Sequence, residues 1–132
     1  MQEVCDFLKR NHTYYLATVD GDQPRVRPFG TADIYNGKLY IQTGKIKPVS
    51  HQLHANAKAE ICCFGEGMIL RVAGKLIADD DLAAQEYLLS QNPGLKSIYA
   101  VGDGNYEVLY FEDATATFTP FPGPGEPKVI KF

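Results

Sequence analysis

The sequence has no tryptophan and only three cysteines in 132 residues. No apolar run in it approaches the ~20 residues that a membrane helix requires. The opening stretch MQEVCDFLKR carries acids and lacks an apolar h-region, so a secretory signal is not expected. There is no excess of positive charge: the formal net charge is −3, with acids and bases interleaved. A nucleic-acid binder would present a basic stripe, and none is visible. Cys62 and Cys63 are adjacent and face opposite sides of a strand, a poor geometry for a disulfide between them. No CxxC or Cys/His metal spacing occurs, so no metal is expected. The cysteines read as reduced and mostly buried, in a cytoplasmic protein. Also missing are GxSxG, HExxH, a Walker loop and a GxGxxG that opens a helix. The glycines of Gly102-Asp103-Gly104 and Gly123-Pro124-Gly125 fall between expected strands and read as turns.

What is present describes one domain over residues 1–132, with hydrophobic content of 45% to build a single core. Residues 2–11 place Val4, Cys5, Phe7 and Leu8 on one helical face. Tyr14 to Val19 is aromatic and β-branched and reads as a strand. Asp20-Gly21-Asp22 turns the chain into a strand from Arg25 to about Tyr35. Asn36-Gly37 turns it again into Lys38 to Thr43, which predicts a three-stranded meander. A helix follows over Val49 to Asn56, then strands over Ala59 to Phe64 and Ile69 to Ala78. Asp79 to Asp81 supply the N-cap of another helix, which Asn92-Pro93-Gly94 ends. Leu95 to Asn105 reads as irregular. Glu107 to Phe111, Ala114 to Phe121 and Lys128 to Phe132 are expected strands. Antiparallel pairs with short turns imply a mainly β fold with peripheral helices, a closed or partly closed barrel.

Two segments carry chemistry. In Pro24 to Gly30, strand alternation places Arg25, Arg27 and Phe29 on one face and Val26, Pro28 and Gly30 on the other. Paired arginines read either as a solvated face or as an anion site. Pro28 lacks a ladder donor, so an edge position or a ligand-facing position suits it. In Thr43 to Ser50, a strand end leads through Gly44, Lys45 and Lys47 into a helix start. There the hydroxyls of Thr43 and Ser50, the lysines and free amides converge on a phosphate, or else form an ordinary basic loop. His51 and His54 share a helix face, but no third metal ligand accompanies them, so they read as surface residues. Glu60 and Arg71 are expected to pair across neighbouring strands.

The runs YYLATVDGDQPRVRPFG, NGKLYIQT, GKIKPVSHQLHANAKAEICCF, RVAGKLIADDD, EVLYFEDATATFTPF and GEPKVIKF, in that order, resemble the pyridoxamine 5′-phosphate oxidase-like FMN-binding family. The resemblance is strongest to its small nitroimidazole-reductase-like (Nim-like) branch. It implies a six-stranded antiparallel split β-barrel and a homodimer with FMN at the interface. It also implies cofactor contacts at Arg25, Val26, Arg27, Pro28, Thr43, Lys45, Lys47 and Ser50, with Arg27 favoured for the phosphate. Two departures stand out. The C-terminus is short and lacks the basic and aromatic substrate motif of the full oxidases, so vitamin B6 oxidation is not expected. Ile69 stands where those oxidases present a glutamine.

The resemblance implies an FMN-dependent oxidoreductase that passes electrons from NAD(P)H or another donor to a small acceptor, such as a nitro compound or quinone. The alternatives are a non-catalytic flavin-binding sensor or stress protein, a relative that carries haem or a deazaflavin, and an empty interaction barrel. No catalytic acid or base is identifiable from the residues.

Overall fold

Burial alternates along β1 (Tyr14–Asp20): Tyr14, Leu16 and Thr18 are buried while Tyr15 is exposed. The same period runs through β5 (Lys58–Gly65), where Ala59, Ile61 and Cys63 face inward. Alternation of this kind packs one face of a strand on a core. In the computed structural model, which describes residues 1–132, the other strands are β2 (Gln23–Phe29), β3 (Asp33–Tyr35), β4 (Lys38–Gly44), β6 (Met68–Asp79), β7 (Tyr106–Pro120) and β8 (Lys128–Lys131). The helices are α1 (Gln2–Asn11), α2 (Pro48–Ala55) and α3 (Leu82–Gln91), with a 3₁₀ turn at Pro93–Ser97. Every strand pair is antiparallel. The sheet order is β2-β1-β5-β6-β7-β4-β3, and β8 pairs with β7. Six of these strands, β1, β2, β4, β5, β6 and β7, are seven residues or longer; β3 and β8 are short additions.

The core is the inner face of this curved sheet. Leu16, Ile41, Ile61, Leu70 and Val72 are fully buried there. Helix α1 closes the core with Val4, Cys5, Phe7 and Leu8, and Phe7 meets Phe118 edge-on at 5.3 Å. A second cluster of Tyr40, Leu88, Tyr99, Tyr106 and Val108 lies under α3. Asp81 caps α3 by accepting from the Ala83 amide at 2.9 Å, as the acidic run predicts.

Three expectations are corrected. Arg25 to Tyr35 is not one strand, and β1, β2 and β4 do not form a meander. The chain leaves β2 at Phe29, and β3 pairs with β4 at the opposite end of the sheet. Pro28 has no amide hydrogen to offer a further neighbour, so β2 is an edge. The sheet is therefore split: no ladder joins β2 to β3 or β4. Second, residues 107–111 and 114–121 are one strand. Asp113, at φ 52°, bends β7 without ending it, and the pairing with β6 shifts between Ala73 and Lys75. Gly74 sits at that shift, where a Cβ would lie 3.0 Å from both the Ala114 Cα and the Glu112 carbonyl oxygen. Third, Glu60 stands opposite Ala73 and Arg71 opposite Cys62, so the expected Glu60–Arg71 pair is out of register.

Candidate functional site

The register of β2 on β1 sorts its side chains. Arg25 and Arg27 stand opposite Thr18 and Leu16, which are buried; Val26 and Pro28 stand opposite Ala17 and the exposed Tyr15. The arginines thus turn toward α2, and Val26 and Pro28 toward the outer face, as the alternation predicts. Arg25 pairs with Asp20 at 3.0 Å. Arg27 is half-buried and has no carboxylate partner. It donates to the Thr18 hydroxyl at 2.7 Å, the Leu16 carbonyl at 3.2 Å and Gln52 Oε1 at 2.6 Å. Burial, and then repulsion from Arg25, push its pKa below the usual arginine value. Both causes oppose the charged form, and an anion placed beside Arg27 would relieve them.

Arg25, Val26, Arg27, Lys47 and Gln52 line an open groove of about 550 Å³ between β2 and α2. Lys47 also borders a smaller cleft of about 200 Å³ between the two ends of the split sheet. Pro28, Phe29, Gly30 and Thr31 form one side of that cleft and Gln42 and Thr43 another. Leu95, Ile98 and Tyr99 close it from the segment after α3. The Thr43 Oγ1 atom is the one buried side-chain polar atom of the chain with no hydrogen-bond partner. Buried polar atoms are normally satisfied, so an orphan beside an unpaired cation points to a ligand.

The lysine loop is fixed from outside. Asn105 accepts from the Lys45 amide at 2.7 Å through its carbonyl and from the Ile46 amide at 3.1 Å through Oδ1. The Lys47 amide returns to Gly44, those of Ser50 and His51 return to Lys47, and Pro48 has none, leaving only the Val49 amide free at the start of α2. Arg25, Val26, Arg27 and Lys47 thus share the groove, and Pro28, Thr43 and Lys47 share the cleft. Lys45 is exposed and lines neither. Ser50 lines neither: its hydroxyl is buried and donates to Glu107 Oε1 at 2.7 Å. His54 Nε2 lies 2.6 Å from the other oxygen of Glu107, whose side chain is 2% exposed. His51 lines a separate surface depression with Asn56 and Ile46.

Reading the sequence alone missed Gln52, Gln42, Tyr99 and Asn105. Gln52 lies two residues past Ser50, and nothing local marks it as the partner of Arg27. Tyr99 sits in a stretch without period, and its role depends on where α3 delivers the chain.

The family model described as pyridoxamine 5′-phosphate oxidase matches residues 1–112. The crystal structure of a NimC/NimA family protein from Clostridium acetobutylicum is 38% identical, covering 100% of this chain and 92% of that one with a TM-score of 0.95. General Stress Protein 26 from Bacillus anthracis is 17% identical, covering 99% and 98%, with a TM-score of 0.76. A pyridoxamine 5′-phosphate oxidase-related, FMN binding protein from Nostoc punctiforme is 16% identical, covering 99% and 95%, with a TM-score of 0.67. The last two show likeness of fold. No curated protein matches the sequence. With its split sheet and full-length likeness to the NimC/NimA protein, the chain belongs to the pyridoxamine 5′-phosphate oxidase-like family, in its Nim-like branch.

Proposed function

We propose that this protein binds FMN between β2 and the β4–α2 loop and acts as a flavin-dependent oxidoreductase on a small acceptor. The observation that carries this reading is the orphaned Thr43 hydroxyl beside Lys47, in a cleft joined through Lys47 to the uncompensated Arg27. Bound FMN would supply the redox chemistry, accepting two electrons from NAD(P)H or another donor and passing them to a nitro compound, quinone or similar molecule.

The residues present fit such a group. Arg27 offers a planar fork already oriented by Thr18 and Gln52, and Lys47 a mobile ammonium. Both suit a phosphate dianion, and the free Val49 amide at the start of α2 adds a donor. Thr43 would give its hydroxyl proton to the ligand. Lys45 would contribute charge at longer range. Val26 and Pro28, on the edge of β2, leave backbone groups of that strand without a second strand partner.

Homodimer formation completes the reading. The outer face of the sheet exposes Tyr15, Val26, Phe64 and Val129, and Phe64 packs on Phe121 at 5.9 Å. An apolar face of this kind is unusual on a monomer. A symmetric partner there would wall the cofactor site from beyond the β2 edge. The expected location is the cytoplasm.

The test is the visible spectrum after adding FMN and removing the excess, followed by NAD(P)H. A bound-flavin spectrum that weakens in Arg27→Ala and Lys47→Ala and bleaches with the donor supports the oxidoreductase. Bound flavin that no donor reduces identifies a flavin-binding module. Protein that stays colourless sinks both readings.

A further inference from the structure

Helix α2 carries Pro48, His51, Gln52 and Ala55 at helical spacing, so they share one face. That face forms one wall of a depression of about 560 Å³, and Val19, Asp20 and Gly21 at the β1–β2 turn form another. FMN held at Arg27 and Lys47 makes no use of this space, yet the two regions are joined. Asp20, Pro48 and Gln52 line both the depression and the groove of Arg27, and Lys47 lines both the groove and the cleft. Cleft, groove and depression run in series past the start of α2.

The chemistry changes along that series. The cleft has apolar walls in Phe29, Leu95 and Ile98. The groove holds three cations, Arg25, Arg27 and Lys47. Arg25 engages Asp20 through Nε alone, at 3.0 Å, so its terminal nitrogens are free to donate. The depression is apolar at Val19, Ile46 and Ala55. Ile46 is 77% exposed although Asn105 Oδ1 holds its amide at 3.1 Å. Asn56 Oδ1 accepts from the Lys58 amide at 3.0 Å, which orients the carboxamide and leaves Nδ2 as a donor. Asp20 Oδ1 is a free acceptor, since Arg25 takes only Oδ2. A flat apolar contact with one donor and one acceptor beside it suits a purine base and its ribose.

We propose that this depression is an adenosine subsite, and that the flavin this protein holds is the dinucleotide FAD. The order cleft, groove, depression follows the order isoalloxazine, pyrophosphate, adenosine along that molecule. Arg27 and Lys47 meet one phosphate and Arg25 the second, which FMN lacks. The adenine lies against Ile46 and Val19 and accepts from Asn56, and a ribose hydroxyl donates to Asp20. The assignment rests on the flavin reading of the cleft and groove, and names which flavin they take.

The test is calorimetric titration of the full chain with FAD and, separately, with FMN. Wild type is expected to bind FAD about 10-fold more tightly than FMN, the worth of one hydrogen bond and a partly covered isoleucine. Ile46→Ser removes the apolar contact, and Ala55→Trp fills the depression from an exposed position on α2. Both variants should bind FAD no better than FMN and keep FMN affinity within about two-fold of wild type. Wild type that binds FMN as tightly as FAD overturns the proposal and leaves the FMN reading standing. A preference for FAD that survives both variants overturns it, as does an equal loss of both flavins. Loss of the dimer in either variant shows a second copy seated on the depression and overturns it too. Protein that binds neither flavin overturns it together with the flavin reading.

Discussion

Arg27 on β2 donates to Gln52 on α2 at 2.6 Å, and this bond ties the exposed edge of the split sheet to the helix that carries the lysine loop. Thr18 joins the same oxygen at 2.6 Å, so Gln52 orients two donors at once. Gln52→Ala is expected to lower stability by about 1 kcal/mol, the usual worth of such bonds. It should also weaken FMN binding several-fold by freeing the guanidinium. Arg27→Ala is expected to weaken FMN binding about 10- to 100-fold, because it removes the charge as well. Urea unfolding and flavin-fluorescence titration separate the two effects.

Tyr15 stands in the middle of the outer face, opposite Pro28 on one side and Cys62 on the other. A glutamate there places a charge in the proposed interface. Tyr15→Glu is expected to convert a dimer to monomers in analytical ultracentrifugation and to weaken FMN binding with it. A variant that remains dimeric would place the interface elsewhere.

Glu107 is buried between Ser50 and His54. Glu107→Ala leaves the Ser50 hydroxyl without its acceptor and opens a gap under α2. The expected cost is about 2 kcal/mol in urea unfolding. Glu107→Gln keeps the shape and one acceptor and should cost less.

Asp103 accepts from the amides of Tyr106 at 2.7 Å, Asn105 at 2.8 Å and Ala100 at 2.9 Å. These bonds hold its carboxyl below the ordinary value of 3.8. The folded value lies below the unfolded one, so the stabilisation is complete above the ordinary value and is lost as pH falls through the lower, folded one. Acid unfolding followed by circular dichroism should therefore show a shallower acid slope for Asp103→Asn than for wild type. The same variant loosens the loop that positions Asn105, so FMN affinity should fall at neutral pH.

Burial pushes the Cys5 thiol up to about 11 and raises that of Cys63 as well. The thiolate is the reactive form. Iodoacetamide at pH 8 is expected to leave both unmodified in the folded protein, and unfolding in urea to expose them; peptide mass spectrometry reads the difference.

Local signals made much of this fold legible. The Asn36-Gly37 turn, with φ of 49° and 74°, follows from two residues that tolerate the left-handed region. The apolar face of α1, the Asp81 cap and the alternation of β1 and β5 follow likewise from short-range periodicity. The sequence also assigned Arg25 and Arg27 to one face of β2, because a strand has period two whatever it pairs with. Tertiary structure decided which edge each strand joins. Nothing within Arg25 to Tyr35 says that the chain changes ends of the sheet after Phe29, and that crossing opens the cleft. Ser50 turned out to serve Glu107, 57 residues away, and Arg27 found Gln52 on another element. Hydrogen bonds across such separations depend on how whole elements dock, and docking is set by the core as a unit rather than by any window of residues. The candidate site sits where that docking leaves a gap, so its shape, and the placing of Gln52 and Tyr99 beside it, could not be read from the sequence.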